Sequence, residues 1–337
     1  MIIIIGAGIS GLSLSYFLSS FGIKNLVIEV KKDVGIKHRS TCLVSSKIFR
    51  LLKFLDRNII LKNYRVANFW YENKRIFSVK SKKEMFLLDY LQLEKEIFNN
   101  IDKTFSNFLF GEIVLDVDFD KNILITNKRE IKFEYIIDAT GTFSFLANKF
   151  NLFKFKKIFN SFEILAITKK KFEDINIFFD KKISKTKFGW YIDLNGKSLI
   201  GLIDQKLDFQ KFSNFIKKFK IVKTYYSYSH PILYCELKKL QLKNSLIIGE
   251  AAGLIKPFSL GGITYGIISS YIAAKTIKNN EIEKYENKIR KIFLKPIILG
   301  KFADKVLKYK VFLQTIYFLK LNNLSNFLDP DFMNINI

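Results

Sequence analysis

Six residues near the start of the chain, Gly6-Ala7-Gly8-Ile9-Ser10-Gly11, have the spacing of a phosphate cradle. They follow an apolar run, Ile2 to Ile5, and precede a helical pattern from Leu12 to Phe21. Gly22 stops that pattern, and Leu26-Val27-Ile28 leads into Glu29. Strand, glycine turn, helix, strand and acid, in that order, form the βαβ unit that binds a dinucleotide. Gly6 permits the tight turn, Gly8 lets the backbone approach a pyrophosphate, and Gly11 lets helix and strand pack closely. The helix N-terminus offers free N–H groups and a partial positive charge. Glu29 comes about 20 residues on, the usual distance for an acceptor to a ribose hydroxyl. Glycines at this spacing also occur in plain loops, but the surrounding strand, helix and acid argue against that.

Two later turns are built from small residues. The first ends an apolar strand, Lys132 to Asp138, in Ala139-Thr140-Gly141, where a chain can stop beside a bound ligand without clashing. The second is Gly249-Glu250-Ala251-Ala252-Gly253, which runs through Lys256-Pro257 to Gly261-Gly262-Ile263 and opens a helix to about Ile277. Gly261 and Gly262 carry no side chains, so a large flat ligand has room against the backbone. An ordinary strand-to-helix loop is the plainer alternative for each. No residues have metal-ligand spacing, and the two histidines, His38 and His230, stand far apart. His230 precedes Pro231 and reads as a turn residue.

These turns must be positioned by a chain of 337 residues, enough for two domains or one large one. Only four prolines occur and no Pro- or Ser-rich linker divides the chain, so its halves should be interleaved in space. Ser161 to Tyr234 is dominated by strand-like runs and includes a lysine-rich helical stretch near Asp208 to Phe219. That block is the candidate substrate domain, an antiparallel sheet laid over the dinucleotide domain. From Ile282 the chain reads as helices with basic faces, and Pro296 to Leu321 is amphipathic. Such a helix packs on its own protein, docks on a membrane surface or closes a greasy tunnel.

The formal net charge is +25, with lysines spread along the whole chain and no arginine-rich tract. Nucleic acid is not the expected partner; anionic lipid headgroups fit better. Two distant cysteines, Cys42 and Cys235, argue against a disulfide framework or a zinc site and fit a reducing cytoplasm. The apolar start lacks a basic n-region, and no run of about 18 apolar residues exists, so neither a signal peptide nor a membrane span is expected.

Together, GAGISG, DATG and GEAAG–KP–S–GGI resemble the FAD-dependent oxidoreductases of the glutathione-reductase type. Within that group they resemble the geranylgeranyl reductase family, above all its archaeal members that saturate membrane lipids. The sharpest match is Gly249 to Gly266, and Cys42-Leu43-Val44-Ser45 and Phe188-Gly189-Trp190-Tyr191-Ile192 also resemble family segments. The resemblance spans residues 1 to about 275. Three features depart from it. Glu250 stands where the family has Asp, Tyr90 follows Asp89 where an Asp-Arg pair is common, and the last glycine loop is one glycine short.

The resemblance implies an α/β fold (α+β overall), with a Rossmann-like FAD-binding domain, an interleaved antiparallel-sheet substrate domain and a helical C-terminus. The FAD-binding domain would comprise residues 1–62, 88–155 and 235–280, the substrate domain 63–87 and 156–234, and the helical region 281–337. FAD would lie along Gly6, Ala7, Gly8, Ser10, Gly11 and Glu29, with Arg39, Ala139, Thr140 and Gly141 beside it. Gly249, Glu250, Ala251, Gly261, Gly262 and Ile263 complete the implied set. Phe188, Trp190, Tyr191, Lys256 and Pro257 would line a prenyl cavity. Cys42 would lie beside the flavin ring and assist, or else serve as a small buried apolar residue.

The implied reaction saturates isoprenoid double bonds of membrane lipids, with hydride from reduced flavin and a proton from a facing group or water. No second GxGxxG unit is present, which favours ferredoxin or another external reductant and leaves NAD(P)H open. The expected partners are thus a prenylated lipid, that electron donor and, peripherally, an anionic membrane. The alternatives are a flavin monooxygenase on the same scaffold and a basic lipid- or nucleic-acid-binding protein without catalysis. A halogenase is disfavoured because the chain has no WxWxIP segment.

Overall fold

The four isoleucines of Ile2–Ile5 form a strand whose side chains are all buried, which suits the middle of a parallel sheet covered on both faces. The structure, a computed structural model, describes residues 1–306. In it this strand lies between Tyr135–Asp138 and Asn25–Glu29, parallel to both. Ser245–Ile247 and Ser106–Phe110 extend the sheet in parallel, and the short Gln241–Leu242 closes one edge antiparallel. Ile5 is level with Asp138 and with Ile28, so the turns that begin at Gly6, at Ala139 and after Glu29 open at the same end of the sheet. In such a sheet that end is where ligands bind.

A second sheet has eight strands, in the order Ile221–Leu237, Phe153–Thr168, Lys197–Asp204, Gly189–Leu194, Ile175–Phe179, Ile60–Tyr71, Lys74–Leu88 and Leu43–Ser45. All its pairs are antiparallel except Ile175–Phe179 with Ile60–Tyr71. Its strands come from residues 43–88 and 153–237, two stretches inserted between the segments that build the first sheet, so the two sheets are interleaved as expected. Side chains alternate across its strands. One face receives Phe212, Phe215 and Phe219 from the helix Phe209–Lys217 and the residues just after it. The other faces the glycine turns. A small third sheet joins Val114–Asp118, Ile123–Thr126 and Glu130–Lys132 as an antiparallel meander.

Local chemistry sets several boundaries. The helix Tyr90–Asn99 begins where it does because the Asp89 side chain accepts from the Leu91 and Gln92 N–H groups and caps it. The short helix Lys47–Leu51 stops where Leu52 leaves the helical conformation and is fully buried. His230 is not a turn residue. It sits inside the 17-residue strand Ile221–Leu237, and the following Pro231 is tolerated because that strand is the sheet edge. The last helix described is Tyr285–Val306; the rest of the amphipathic stretch to Leu321 lies outside the described residues. Among the described residues, no helix is long and apolar enough to cross a membrane.

Candidate active site

The glycine turn is built by backbone crowding. Gly6 has φ +103°, and a Cβ there would stand 2.7 Å from the Ala139 carbonyl oxygen. A Cβ on Gly11 would collide with the Gly6 carbonyl, so strand end and helix touch through backbone. Gly8 differs: nothing lies within 4 Å of its Cβ position, which opens on the cavity. It is the N-cap of the helix Ile9–Ser20 and supplies no side-chain cap, leaving the first-turn N–H groups for a ligand. Glu29 is 5% exposed and accepts from the Ala7 N–H at 2.6 Å and the Lys31 N–H at 2.8 Å. Its carboxylate is therefore held at the cavity wall by the turn itself.

The second turn is tied down by two acids, one buried and one half-buried. Asp138, fully buried, accepts from the Thr140 N–H (3.0 Å), the Thr140 hydroxyl (2.6 Å) and the Leu146 N–H (2.8 Å). Glu250 accepts from the Thr142 hydroxyl at 2.6 Å and the Leu233 N–H at 2.8 Å. It thereby clamps the Ala-Thr-Gly turn to the edge strand of the second sheet. Burial pushes both carboxyls above the usual range.

Between the two sheets lies a cavity of about 870 Å³. Gly6, Gly8, Glu29, Arg39, Thr140 and Gly141 line its polar end. The facing wall comes from the second sheet, with Ile175, Ile177, Trp190, Ile203, Tyr228 and Ile232. Phe188, Phe258 and Leu260 close its apolar end. Trp190 is doubly fixed. Its ring covers Gly201, where a Cβ would collide with the indole, and its Nε1–H donates to Glu163 at 2.8 Å. Cys42, fully buried and with φ +61°, is in the wall between Thr41 and Leu43. Burial, with nearby Asp89, Glu94 and Glu163, pushes its thiol far up, so it stays an S–H near neutral pH. His230 also lines the cavity, and burial with Arg39 and Lys37 lowers it to about 4, leaving a neutral imidazole.

Known proteins share this fold. A family model described as an NAD(P)-binding Rossmann-like domain matches residues 4–43. The digeranylgeranylglycerophospholipid reductase of Methanococcus aeolicus is 24% identical over 100% of this chain and 92% of its own. A geranylgeranyl bacteriochlorophyll reductase-like protein from Thermoplasma acidophilum superposes with a TM-score of 0.83 at 16% identity, covering 99% of this chain and 96% of that one. The chain has the fold of FAD-dependent oxidoreductases and is similar to geranylgeranyl reductases. A variant of the flavin-dependent brominase Bmp2 has the same fold (TM-score 0.78, 14% identity, 99% and 95% coverage), so the scaffold itself carries more than one chemistry.

The residues of this flavoprotein fit FAD. Gly8 leaves a cradle that a Cβ would fill, beside uncapped helix N–H groups, and Gly141 is equally open. Arg39 lines the same end, and its buried Nε has no hydrogen-bond partner among the described residues, a donor awaiting an anion. Replacing Arg39 with methionine should weaken FAD binding roughly tenfold or more, as the loss of one charged hydrogen bond requires. Flavin release titrated by fluorescence tests this, and an unchanged affinity would refute the assignment.

Twelve of the sixteen residues expected around FAD line the cavity; Ala7, Gly11, Gly249 and Ala251 do not. The Ala7 N–H is taken by Glu29. Gly249 and Gly266 instead make room for the Ser10 side chain between them. Gly261 and Gly262 reach the cavity, but their bare Cα atoms face Lys256 and Ile255 of their own loop and make that turn compact. Of the five substrate residues, Phe188, Trp190 and Lys256 line the cavity. Tyr191 points through the sheet and is bonded to the Ser198 hydroxyl at 2.6 Å, because adjacent strand residues take opposite faces. Pro257 lies behind the wall against Gly300, its carbonyl bonded to Lys187. Sequence reasoning missed Ile175, Ile177, Ile203, Tyr228 and Glu163. Period-two alternation could have grouped the isoleucines, had the inward face been known.

Proposed function

We propose that the protein saturates isoprenoid carbon–carbon double bonds of a membrane lipid or its precursor. The observation that carries this reading is the cavity: a polar flavin cradle continues without a break into a wall of isoleucines, Phe188, Trp190 and Phe258. An apolar chain gains about 25 cal/mol for each Å² of surface it buries there. Similarity over the whole chain to the reductase from Methanococcus aeolicus supports the same substrate class. When bound and reduced, FAD supplies a hydride equivalent. The chain's own residues orient the flavin from Gly8, Glu29 and Arg39, exclude water with the isoleucine wall, and hold the alkene against Trp190. The net charge of +25 suits a phosphate headgroup and peripheral contact with anionic lipid, and the electron donor is an external reductant, ferredoxin or NAD(P)H.

The test is to reduce the purified flavoprotein anaerobically with dithionite, add geranylgeranylated glycerophospholipid and weigh the product. Saturation adds two hydrogen atoms per bond, whereas a monooxygenase product would gain an oxygen atom only when O2 is admitted. Unchanged lipid with flavin bound and reduced would defeat the reading. Trp190→Ala should keep FAD but lower kcat/KM for the lipid by about 10- to 100-fold, the range for a reshaped apolar pocket. Steady-state kinetics beside a flavin absorbance spectrum decide that outcome.

A further inference from the structure

A second cavity of about 370 Å³ adjoins the first and shares Ser40, Thr41 and Tyr90 with it. Glu163, on the strand Phe153–Thr168, lines the second cavity and is only 2% exposed. Its carboxylate gathers three donors: the Thr41 hydroxyl, the Trp190 Nε1–H at 2.8 Å and the Tyr228 hydroxyl at 2.8 Å. All three of those residues line the main cavity. The Glu163 carboxyl thus stands in the partition between the two spaces, bonded to the wall of one and open to the other. His38, another lining residue of the second cavity, stacks on Tyr226 (centroids 4.6 Å apart) and on Tyr228 (5.6 Å).

We propose that Tyr228 gives the substrate its proton and that Glu163 replaces that proton from the second cavity. This rests on the alkene-reduction reading above. Saturation needs two electrons and a hydrogen at one carbon, supplied as a hydride equivalent, and a proton at the other. The Tyr228 O–H bond breaks as the second C–H bond forms. Glu163 first takes a proton from solvent in the second cavity, and its bond with Tyr228 reverses. The carboxyl then donates to the Tyr228 oxygen and leaves the hydroxyl hydrogen free to face the alkene. As the Tyr228 O–H bond breaks, the carboxyl proton passes to the Tyr228 oxygen and Glu163 is again a carboxylate. The net proton donor is water.

What separates Tyr228 from the other donors on the wall is its link to the second cavity. Burial pushes both the Cys42 thiol and the Tyr228 hydroxyl up, and His230 is a neutral imidazole. Among these only Tyr228 and Thr41 bond the carboxyl that lines the second cavity, and Thr41 is an aliphatic alcohol. Burial raises the Glu163 carboxyl, which its three donors only partly offset, so it takes a proton more readily than an ordinary glutamate. The groups around it that could respond to pH are His38, Cys42, Asp89, Tyr90, Lys197, Tyr226 and Tyr228. Tyr228 is a catalytic residue in this scheme and Glu163 a positioning one.

The experiment uses the full flavin-loaded chain, dithionite-reduced, with geranylgeranylated glycerophospholipid in single turnover. Tyr228→Phe keeps the ring on His38 and should slow reduction about 100-fold or more, with flavin content and lipid affinity unchanged. Wild type should lose rate as pH rises through the Glu163 titration, and Glu163→Gln should flatten that limb. A Tyr228→Phe rate within about threefold of wild type, with the same pH profile, overturns the proposal.

A second readout needs no lipid. In a Trp70→Phe background, which removes the indole bonded to Asn176 on the far face of the sheet, Trp190 fluorescence should titrate with Glu163 and cease to do so in Glu163→Gln. A missing titration overturns the relay whatever the substrate. A clear titration with lipid left unreduced overturns the lipid reading, and with it the donor role of Tyr228.

Discussion

Gly11→Val should yield a colourless protein of sharply reduced stability. At Gly11 any Cβ overlaps the Gly6 carbonyl oxygen, and it also stands 3.0 Å from the Gly6 carbonyl carbon and 3.4 Å from the Ala139 side chain. Backbone meets backbone here, so no rotamer change relieves the clash. The helix Ile9–Ser20 must move off the strand ends, and Ser10 must leave its slot between Gly249 and Gly266. Overpacking of this kind costs on the order of 1–3 kcal/mol, and more where nothing can yield. The paired control is Gly8→Ala, whose methyl enters open space. It should leave the melting temperature of the flavin-free protein unchanged while weakening FAD. Absorbance of bound flavin and thermal melts of both variants separate ligand contact from packing. A yellow, stoichiometrically loaded Gly11→Val would refute the account.

Lys187→Met carries the second large effect. The Lys187 ammonium is almost fully buried and donates to the Pro257 carbonyl at 2.6 Å, the Phe258 carbonyl at 3.3 Å and Asp304 at 2.7 Å. It lies 5.3 Å from the centre of the Phe159 ring as well. One cation thus ties the loop that closes the apolar end of the cavity to the helix Tyr285–Val306. That helix already presses on the loop, since a Cβ on Gly300 would stand 2.6 Å from Pro257. Removing one partner of a fully buried ion pair costs about 3–5 kcal/mol, an upper bound here because the remaining Asp304 is partly exposed. Lys187→Met should lower stability by that order in urea unfolding and loosen the loop, raising KM for lipid more than it lowers kcat. Adding Asp304→Asn should recover part of the stability. If the single variant loses under about 1 kcal/mol, the pair is only a surface contact.

The interval between these residues explains what could be read in advance. The flavin cradle was legible because its chemistry is local: strand, glycine turn, helix and Glu29 all fall within residues 2–29, and each part has its own signature. The Ala-Thr-Gly turn and the glycine-pair helix were legible for the same reason, and so was the mixture of a parallel and an antiparallel sheet. Even there, the sequence could not show that Gly249 serves Ser10 rather than the flavin, since those residues meet only when two helices pack.

The substrate side depended on contacts that sequence does not order. Alternation assigns Trp190 and Tyr191 to opposite faces of a strand but cannot say which face looks into the cavity. That choice is made by the helix Phe209–Lys217, which covers the Tyr191 face and leaves the Trp190 face to the flavin domain. His230 and Pro231 carried a turn signature, yet strand pairing with Asn160 and Ser161 drew them into a sheet edge, where the missing proline N–H costs nothing. Glu163 finds Thr41 across 122 residues and Tyr228 across 65, and Lys187 finds Asp304 across 117. By itself the sequence determined the fold class and the place of the dinucleotide, because short-range sterics of glycine and apolar periodicity suffice for both. Only the tertiary structure decided which side chains enclose the substrate space and which buried charges hold it, because those positions follow from the packing of one sheet over the other.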